Sequence, residues 1–179
     1  MTMDIAITAM VLAIIATIFA STMFTGASPV PTSKSVRDTM MAVLADAGGT
    51  IEGPIYELGA AWGGLARVLA GRYPASPVRA FEISLLPWAV SAVRHYLDGP
   101  QNLCFRLKDF NTVDLSDAAL VVCYLPGETM QKLKPKLEAE LPKGALVLSN
   151  TFAFRGWQPI KTRTASDIYA SQVYLYRVG

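Results

Sequence analysis

The chain has 179 residues, 52% of them hydrophobic and 17% charged, with a mean hydropathy of +0.34. That composition excludes a disordered, collagen-like or disulfide-scaffold chain, since two cysteines cannot build a framework and no Cys/His cluster has metal-ligand spacing. A formal net charge of +2 gives no electrostatic footprint for nucleic acid.

The apolar excess is concentrated at the N-terminus. The first charged side chain is Asp4 and the next is Lys34, so residues 5–33 carry no charge. As a helix, residues 5–27 would span roughly 35 Å, enough for a hydrocarbon core of about 30 Å. Thr8, Thr17, Ser21 and Thr22 are tolerable there, because a helical hydroxyl bonds back to the preceding turn. The alternative is a cleaved signal peptide with Thr25-Gly26-Ala27 as its small-residue site. Such peptides open with a positive region, and here the early charge is acidic. Residues 1–28 are therefore expected to form one transmembrane helix that anchors the chain. Lys34 and Arg37 just beyond it put the following domain on the cytoplasmic side, or on the matrix side if the membrane is mitochondrial.

Residues 29–49 read as a linker and a helix that precedes the sheet. Pro29 and Pro31 block continuation of the first helix, and Thr32 or Ser33 can cap a second. Val36, Met40, Val43, Leu44 and Ala47 recur on one face before Gly48-Gly49 stops it. Over residues 50–179, strand-like runs at 55–59, 78–83, 103–107, 118–125, 145–152 and 172–178 are interleaved with helical stretches at 63–73, 87–97 and 128–141. Residues 118–125 (AALVVCYL) are continuously apolar, as in a strand buried on both faces, whereas 172–178 alternates like a strand near an edge. Pro135 predicts a kink or a restart in the third of these helices. The rhythm predicts an α/β fold with a doubly wound, mainly parallel sheet. His95 reads as a surface residue, and Cys104 and Cys123 as buried small hydrophobes.

Glu57-Leu-Gly59-Ala-Ala61-Trp-Gly63-Gly64 falls where the first strand turns into a helix, the place where open α/β sheets bind nucleotides. Gly59, Ala61 and Gly64 fit a dinucleotide fingerprint with its middle glycine replaced. Glu57, Gly59, Ala61 and Gly63 fit the acid-x-Gly-x-Gly-x-Gly turn of S-adenosylmethionine-dependent methyltransferases with the same replacement. Glu57 favours the second reading. A buried carboxylate costs several kcal/mol unless paired, and a zwitterionic amino acid pairs with it where an anionic pyrophosphate does not. A Glu that caps a helix or pairs with an Arg is the competing account. Glu82 ends the second strand, where a carboxylate can accept both ribose hydroxyls. Asp109 follows the third strand and precedes Phe110, an acid for an adenine amino group beside a ring that can pack on the base.

With those residues placed, the domain resembles the class I, seven-strand S-adenosylmethionine-dependent methyltransferases. It is most similar to the small membrane-anchored protein-lysine methyltransferases of the ATP synthase c subunit and the adenine nucleotide translocase. The resemblance runs through the apolar N-terminus, Pro29-Val-Pro-Thr32, Tyr56-Glu-Leu-Gly59, Phe81-Glu-Ile-Ser-Leu-Leu-Pro87-Trp88, Asp109-Phe110, Leu125-Pro126 and Phe152-Ala-Phe-Arg-Gly-Trp157-Gln-Pro159. Ala61 and Trp62 stand where the family has Gly and an acid, and Ser84 and Leu85 replace an Asn-Pro-like stretch.

The resemblance implies a Rossmann-like methyltransferase fold that transfers a methyl group from S-adenosylmethionine to a nitrogen. It implies cofactor contacts from Glu57, Gly59, Ala61, Gly63, Glu82, Ile83, Asp109 and Phe110, and substrate contacts from Thr32, Tyr124, Pro126, Asn150 and Trp157. It names no catalytic base and no metal. The implied partner is a protein presenting a lysine near a membrane. A methyltransferase of a lipid or hydrophobic small molecule, and a non-catalytic S-adenosylmethionine-binding domain, stay open as alternatives.

Overall fold

The computed structural model describes residues 2–25, 30–48 and 50–179, without the side chains of residues 2, 13–15 and 18–25. The Thr25-Gly26-Ala27 site, Pro29 and Gly49 of the helix stop lie wholly or partly outside the described residues. A helix, α1 (Thr2–Thr25), forms at the N-terminus. Among the described residues, however, no helix is long and apolar enough to cross a membrane. The expected transmembrane helix is thus not supported by the structure. Met3, Ile5, Ile7, Met10, Val11 and Leu12 are all solvent-exposed, so the domain does not cover these side chains.

Next comes α2 (Lys34–Asp46), whose first turn is capped by Ser33 Oγ accepting from the Val36 amide. Its apolar face of Val36, Met40, Val43 and Leu44 is fully buried. The rest alternates as β1 (Ile55–Leu58), α3 (Gly64–Arg72), β2 (Val78–Glu82), α4 (Leu85–Asp98), β3 (Leu103–Leu107), β4 (Leu120–Cys123), α5 (Gly127–Glu140), β5 (Leu146–Asn150), β6 (Lys161–Thr164) and β7 (Gln172–Arg177). One seven-stranded sheet results, in the order β3-β2-β1-β4-β5-β7-β6. Strands β3 to β5 in that order are parallel, while β7 runs antiparallel to both β5 and β6.

Position in the sheet explains the hydrophobic pattern of each strand. β1, β4 and β5 are central and buried at every residue, which requires apolar side chains on both faces. β3 lies at one edge and is mostly exposed, so Cys104 is exposed rather than buried, while Cys123 on central β4 is buried as expected. α2 and α3 pack on one face around Leu69, Val122 and Leu148. α5 packs on the other face through Met130, Leu133 and Leu137. It runs unbroken through Pro135, with neither the expected restart nor a second helix.

One strand lies outside the predicted set. Lys161–Thr164 (KTRT) has no apolar alternation and forms β6 because its backbone pairs with β7. Its cations blunt the open edge, and Lys161 and Arg163 each lie 2.8 Å from the Asp46 carboxylate at the end of α2. The hydrogen bond from Lys161, with the charge of Arg163, holds that carboxyl below the usual range.

Candidate active site

The sheet order reverses between β1 and β4, because the chain moves outward from β1 to β3 and then returns to the other side of β1. At such a switch point the loops leaving the carboxyl ends of the two strands diverge and leave a crevice. A cavity of about 590 Å³ opens there, lined from the first half of the sheet by Glu57, Gly59, Ala61, Trp62 and Glu82 and from the second by Tyr124, Leu125, Pro126 and Phe152. Val30, Pro31 and Thr32, which lead into α2, and Arg37 in its first turn close a third side. Its size and mixed lining suit one small organic ligand.

Glu57 is the third residue of β1 and is 5% exposed. Ala66 at the start of α3 gives its carboxylate a backbone hydrogen bond, while Oε2 is buried with no partner among the described residues. Burial, reinforced by the charge of Glu82, pushes the carboxyl up to about 8. A group left in this condition is satisfied by a proton or by a hydrogen-bond donor entering the cavity, best of all a cationic one. Glu82 is also buried, but its two oxygens are engaged: Oε2 accepts from the Ala61 amide at 2.8 Å and Oε1 from the Ser84 amide at 2.7 Å. Each carboxylate oxygen retains a further acceptor site for a ligand hydroxyl.

The intervening turn needs left-handed backbone at three alternate residues, Gly59 (φ +80°), Ala61 (φ +45°) and Gly63 (φ +72°). Glycine is obligatory at the outer two. A Cβ on Gly59 would lie 2.8 Å from Leu125 Cδ2, and one on Gly63 2.5 Å from the Phe105 ring. The middle position tolerates alanine, since its amide donates to Glu82 and its carbonyl accepts from Ser91 Oγ at 3.1 Å. Two hydrogen bonds offset the strain of roughly 1–2 kcal/mol that a side chain adds to such a backbone.

The opposite wall is aromatic. Tyr124 and Phe152 stack with ring centroids 6.5 Å apart and an interplanar angle of 20°. Phe152 is delivered by a turn in which Thr151, a β-branched residue, adopts φ +66°. Four hydrogen bonds hold that turn. The Thr151 amide donates to the Gln172 carbonyl and the Phe152 amide to the Asn150 carbonyl, both at 2.7 Å. Thr151 Oγ1 donates to Asn150 Oδ1, and Ser149 Oγ donates to the Phe152 carbonyl.

Of the residues singled out in the sequence, the cavity brings together Glu57, Gly59, Ala61, Glu82, Thr32, Tyr124 and Pro126. Gly63 shapes the turn and caps α3 without lining it. Ile83 points to solvent. Asp109 Oδ1 accepts from the amide and side chain of Asn111 and so caps the short helical turn Phe110–Thr112, Phe110 packs on the core beneath α5, and neither residue lines the cavity. Asn150 is buried and anchors the strained turn. Trp157 packs on Phe154 and Tyr176 and donates to Glu138 Oε1 at 2.8 Å, away from the cavity lining. His95 is half-buried rather than on the surface, edge-on to Phe105 and outside the cavity. Phe152 and Arg37 line the cavity without having been marked as site residues in the sequence. Nothing local distinguishes them, because one depends on the strained turn and the other on how α2 crosses the sheet.

The sequence profile of the ANTKMT methyltransferase domain matches residues 57–161, more than half of the chain. A protein-lysine N-methyltransferase of Saccharolobus islandicus (strain REY15A) is 40% identical over 72 residues, 40% of this chain and 45% of that one. The adenine nucleotide translocase lysine N-methyltransferase of Mus musculus is 34% identical over 87 residues, 47% of this chain and 37% of that one. The matched segments thus span less than half the length of either curated relative. Among solved structures, an RNA methyltransferase from Salinibacter ruber in complex with S-adenosyl-L-homocysteine superposes with a TM-score of 0.72 at 27% identity, covering 83% of this chain and 94% of that one. The precorrin-6y C5,15-methyltransferase of Geobacter metallireducens GS-15 superposes with a TM-score of 0.66 at 9% identity, covering 86% and 92%, a likeness of fold alone. The buried, half-satisfied Glu57 and the cradle of left-handed residues fit a zwitterionic nucleoside cofactor. The chain belongs to the ANTKMT methyltransferase domain family.

Proposed function

We propose that this chain is an S-adenosylmethionine-dependent methyltransferase that modifies lysine side chains of a membrane-associated protein. The observation that carries the reading is the stacked Tyr124–Phe152 wall at one side of the cavity, facing the carboxylate side. When bound, S-adenosylmethionine supplies a methyl group already activated on a sulfonium. What remains for the chain is to desolvate and align the acceptor amine. A lysine has a reference pKa of about 10.4, and an apolar aromatic passage favours its neutral, nucleophilic form. Tyr124, Pro126 and Phe152 are the side chains that would receive its alkyl stem, with Thr32 at the rim. The two curated relatives are named as lysine methyltransferases, which supports the same acceptor.

The membrane part of the proposal rests on the N-terminus. Residues 5–33 carry no charge, Lys34 and Arg37 follow, and the apolar side chains described in α1 have no cover from the domain. α1 approaches α4, whose outward Leu85, Val93, Tyr96 and Leu97 are also exposed. We place the catalytic domain on the cytoplasmic side of that membrane, or on the matrix side in a mitochondrion. The test is incubation of membranes holding the full-length chain with methyl-labelled S-adenosylmethionine, followed by separation of protein from lipid. Label on protein, released by hydrolysis as methyl-lysine, is the expected result. Label confined to the lipid fraction would replace the proposal with a lipid methyltransferase.

A further inference from the structure

The carboxylate side of the cavity accounts for only half of a zwitterion. Glu57 offers an acceptor to an ammonium, but the carboxylate of the same amino-acid end needs a cation or free N–H groups. Three arginines line the cavity: Arg37, Arg67 and Arg94. Arg67 is committed to the end of α4, 3.1 Å from Asp98 Oδ1 and donating to the Arg94 and Asp98 carbonyls. Arg94 lies exposed on α4. Arg37 differs from both. It is half-buried, and no acid among the described residues lies within ion-pair distance of it.

Its guanidinium is nevertheless held in place. Nη1 donates to the Thr32 carbonyl at 2.6 Å and stands 3.5 Å from where a Cβ on Gly64 would project. It therefore lies over the first residue of α3, a helix whose N-terminus has no side-chain cap. Cation and helix N-terminus thus present positive potential to the same space, in the cavity that Glu57 also lines, whose Oε2 is buried without a partner among the described residues.

We propose that Arg37, with the start of α3, binds the carboxylate of the cofactor's amino-acid end while Glu57 takes its ammonium. Recognition of that end is then shared with α2, which fits a turn carrying Ala61 and Trp62 where the family has Gly and an acid. Thr32 acts through its carbonyl as the positioning residue for the guanidinium.

The test is calorimetry of the full-length chain with two ligands, S-adenosylmethionine and its decarboxylated form, which differ only by the carboxylate in question. The wild-type chain should prefer the intact ligand by about tenfold or more, the range of a charge-assisted contact. Arg37→Gln should weaken S-adenosylmethionine by about that factor and leave the decarboxylated ligand within about twofold, abolishing the preference. The unchanged second affinity would itself show that the variant is folded. Should Arg37→Gln bind neither ligand, Arg37→Lys decides: a reduced preference for the intact ligand supports the assignment. A wild-type chain with no preference, an undiminished S-adenosylmethionine affinity in Arg37→Gln, or a preference in Arg37→Lys equal to wild type would overturn it.

Discussion

After β1 and β2 the cavity wall consists of two buried carboxylates and a turn with three left-handed residues; after β4 and β5 it consists of a tyrosine, a proline and a phenylalanine. The first wall is fixed by many short polar contacts. Glu82 spans the turn and the start of α4 through two amides, and Ala61 is bonded at both its N–H and its C=O. The second wall is fixed at its base, by the Thr151 turn, and open at its tip, where Phe152 is 37% exposed. On the proposed function, the contrast follows from what each wall would meet. A cofactor of constant chemistry rewards a rigid, preorganised polar cradle, whereas an entering side chain needs an apolar surface that excludes water.

That division predicts unequal responses to mutation. The largest effect on folding belongs to Gly63→Ala, which adds a Cβ at φ +72° within 2.5 Å of the Phe105 ring and 2.9 Å of Ser91 Oγ. Backbone strain and overpacking together should lower stability by about 2–4 kcal/mol, read as the shift in free energy of urea unfolding. A loss below about 1 kcal/mol would show that the turn relaxes freely.

Effects on the second wall should be smaller and confined to methyl transfer. Tyr124→Ala or Phe152→Ala is expected to slow transfer to the protein acceptor by about tenfold, near 1.4 kcal/mol, in a single-turnover assay at saturating cofactor. An unchanged rate would remove these rings from the acceptor's path.

The mildest test is one of pH. In the folded, ligand-free chain the Glu57 carboxyl sits at about 8, against an ordinary 4.5. Between those values the folded form holds a proton that the unfolded chain has lost. Its contribution to stability is therefore full below about 4.5 and declines as pH rises toward 8. Glu57→Gln should flatten that decline in unfolding midpoints measured from pH 5 to pH 8. Binding of an ammonium displaces the same proton, so S-adenosyl-L-homocysteine should bind the wild-type chain more tightly at pH 8 than at pH 6. Parallel pH profiles for wild type and Glu57→Gln would show that the carboxyl does not titrate there.

The two walls were also unequally legible in the sequence. Strand burial, the glycine-rich turn and the acids ending β1 and β2 follow from local pattern, because a central strand must be apolar on both faces and a charge within it stands out. Asp109 shows how one acid fits two local readings. An acid after a strand can serve a ligand or cap a turn, and Asn111 two residues on already offered the amide that Asp109 accepts. Trp157 was drawn from a closing Trp-x-Pro pattern, yet three-dimensional packing assigns its ring to the Phe154–Tyr176 cluster. Phe152 and Arg37 could not be found locally, since neither a β-branched residue in left-handed backbone nor the crossing of α2 leaves a signature in composition. β6 escaped for a related reason: its identity as a strand resides in its partner β7.

The proposed separation of a cofactor wall from an acceptor wall is tested most directly by calorimetry of S-adenosyl-L-homocysteine binding to the wild-type chain, Glu82→Ala and Phe152→Ala. The predicted result is one-to-one binding that Glu82→Ala weakens by more than about tenfold, the worth of charged hydrogen bonds to ribose hydroxyls, and that Phe152→Ala leaves within about twofold. Equal losses in the two variants, or full affinity in Glu82→Ala, would contradict it.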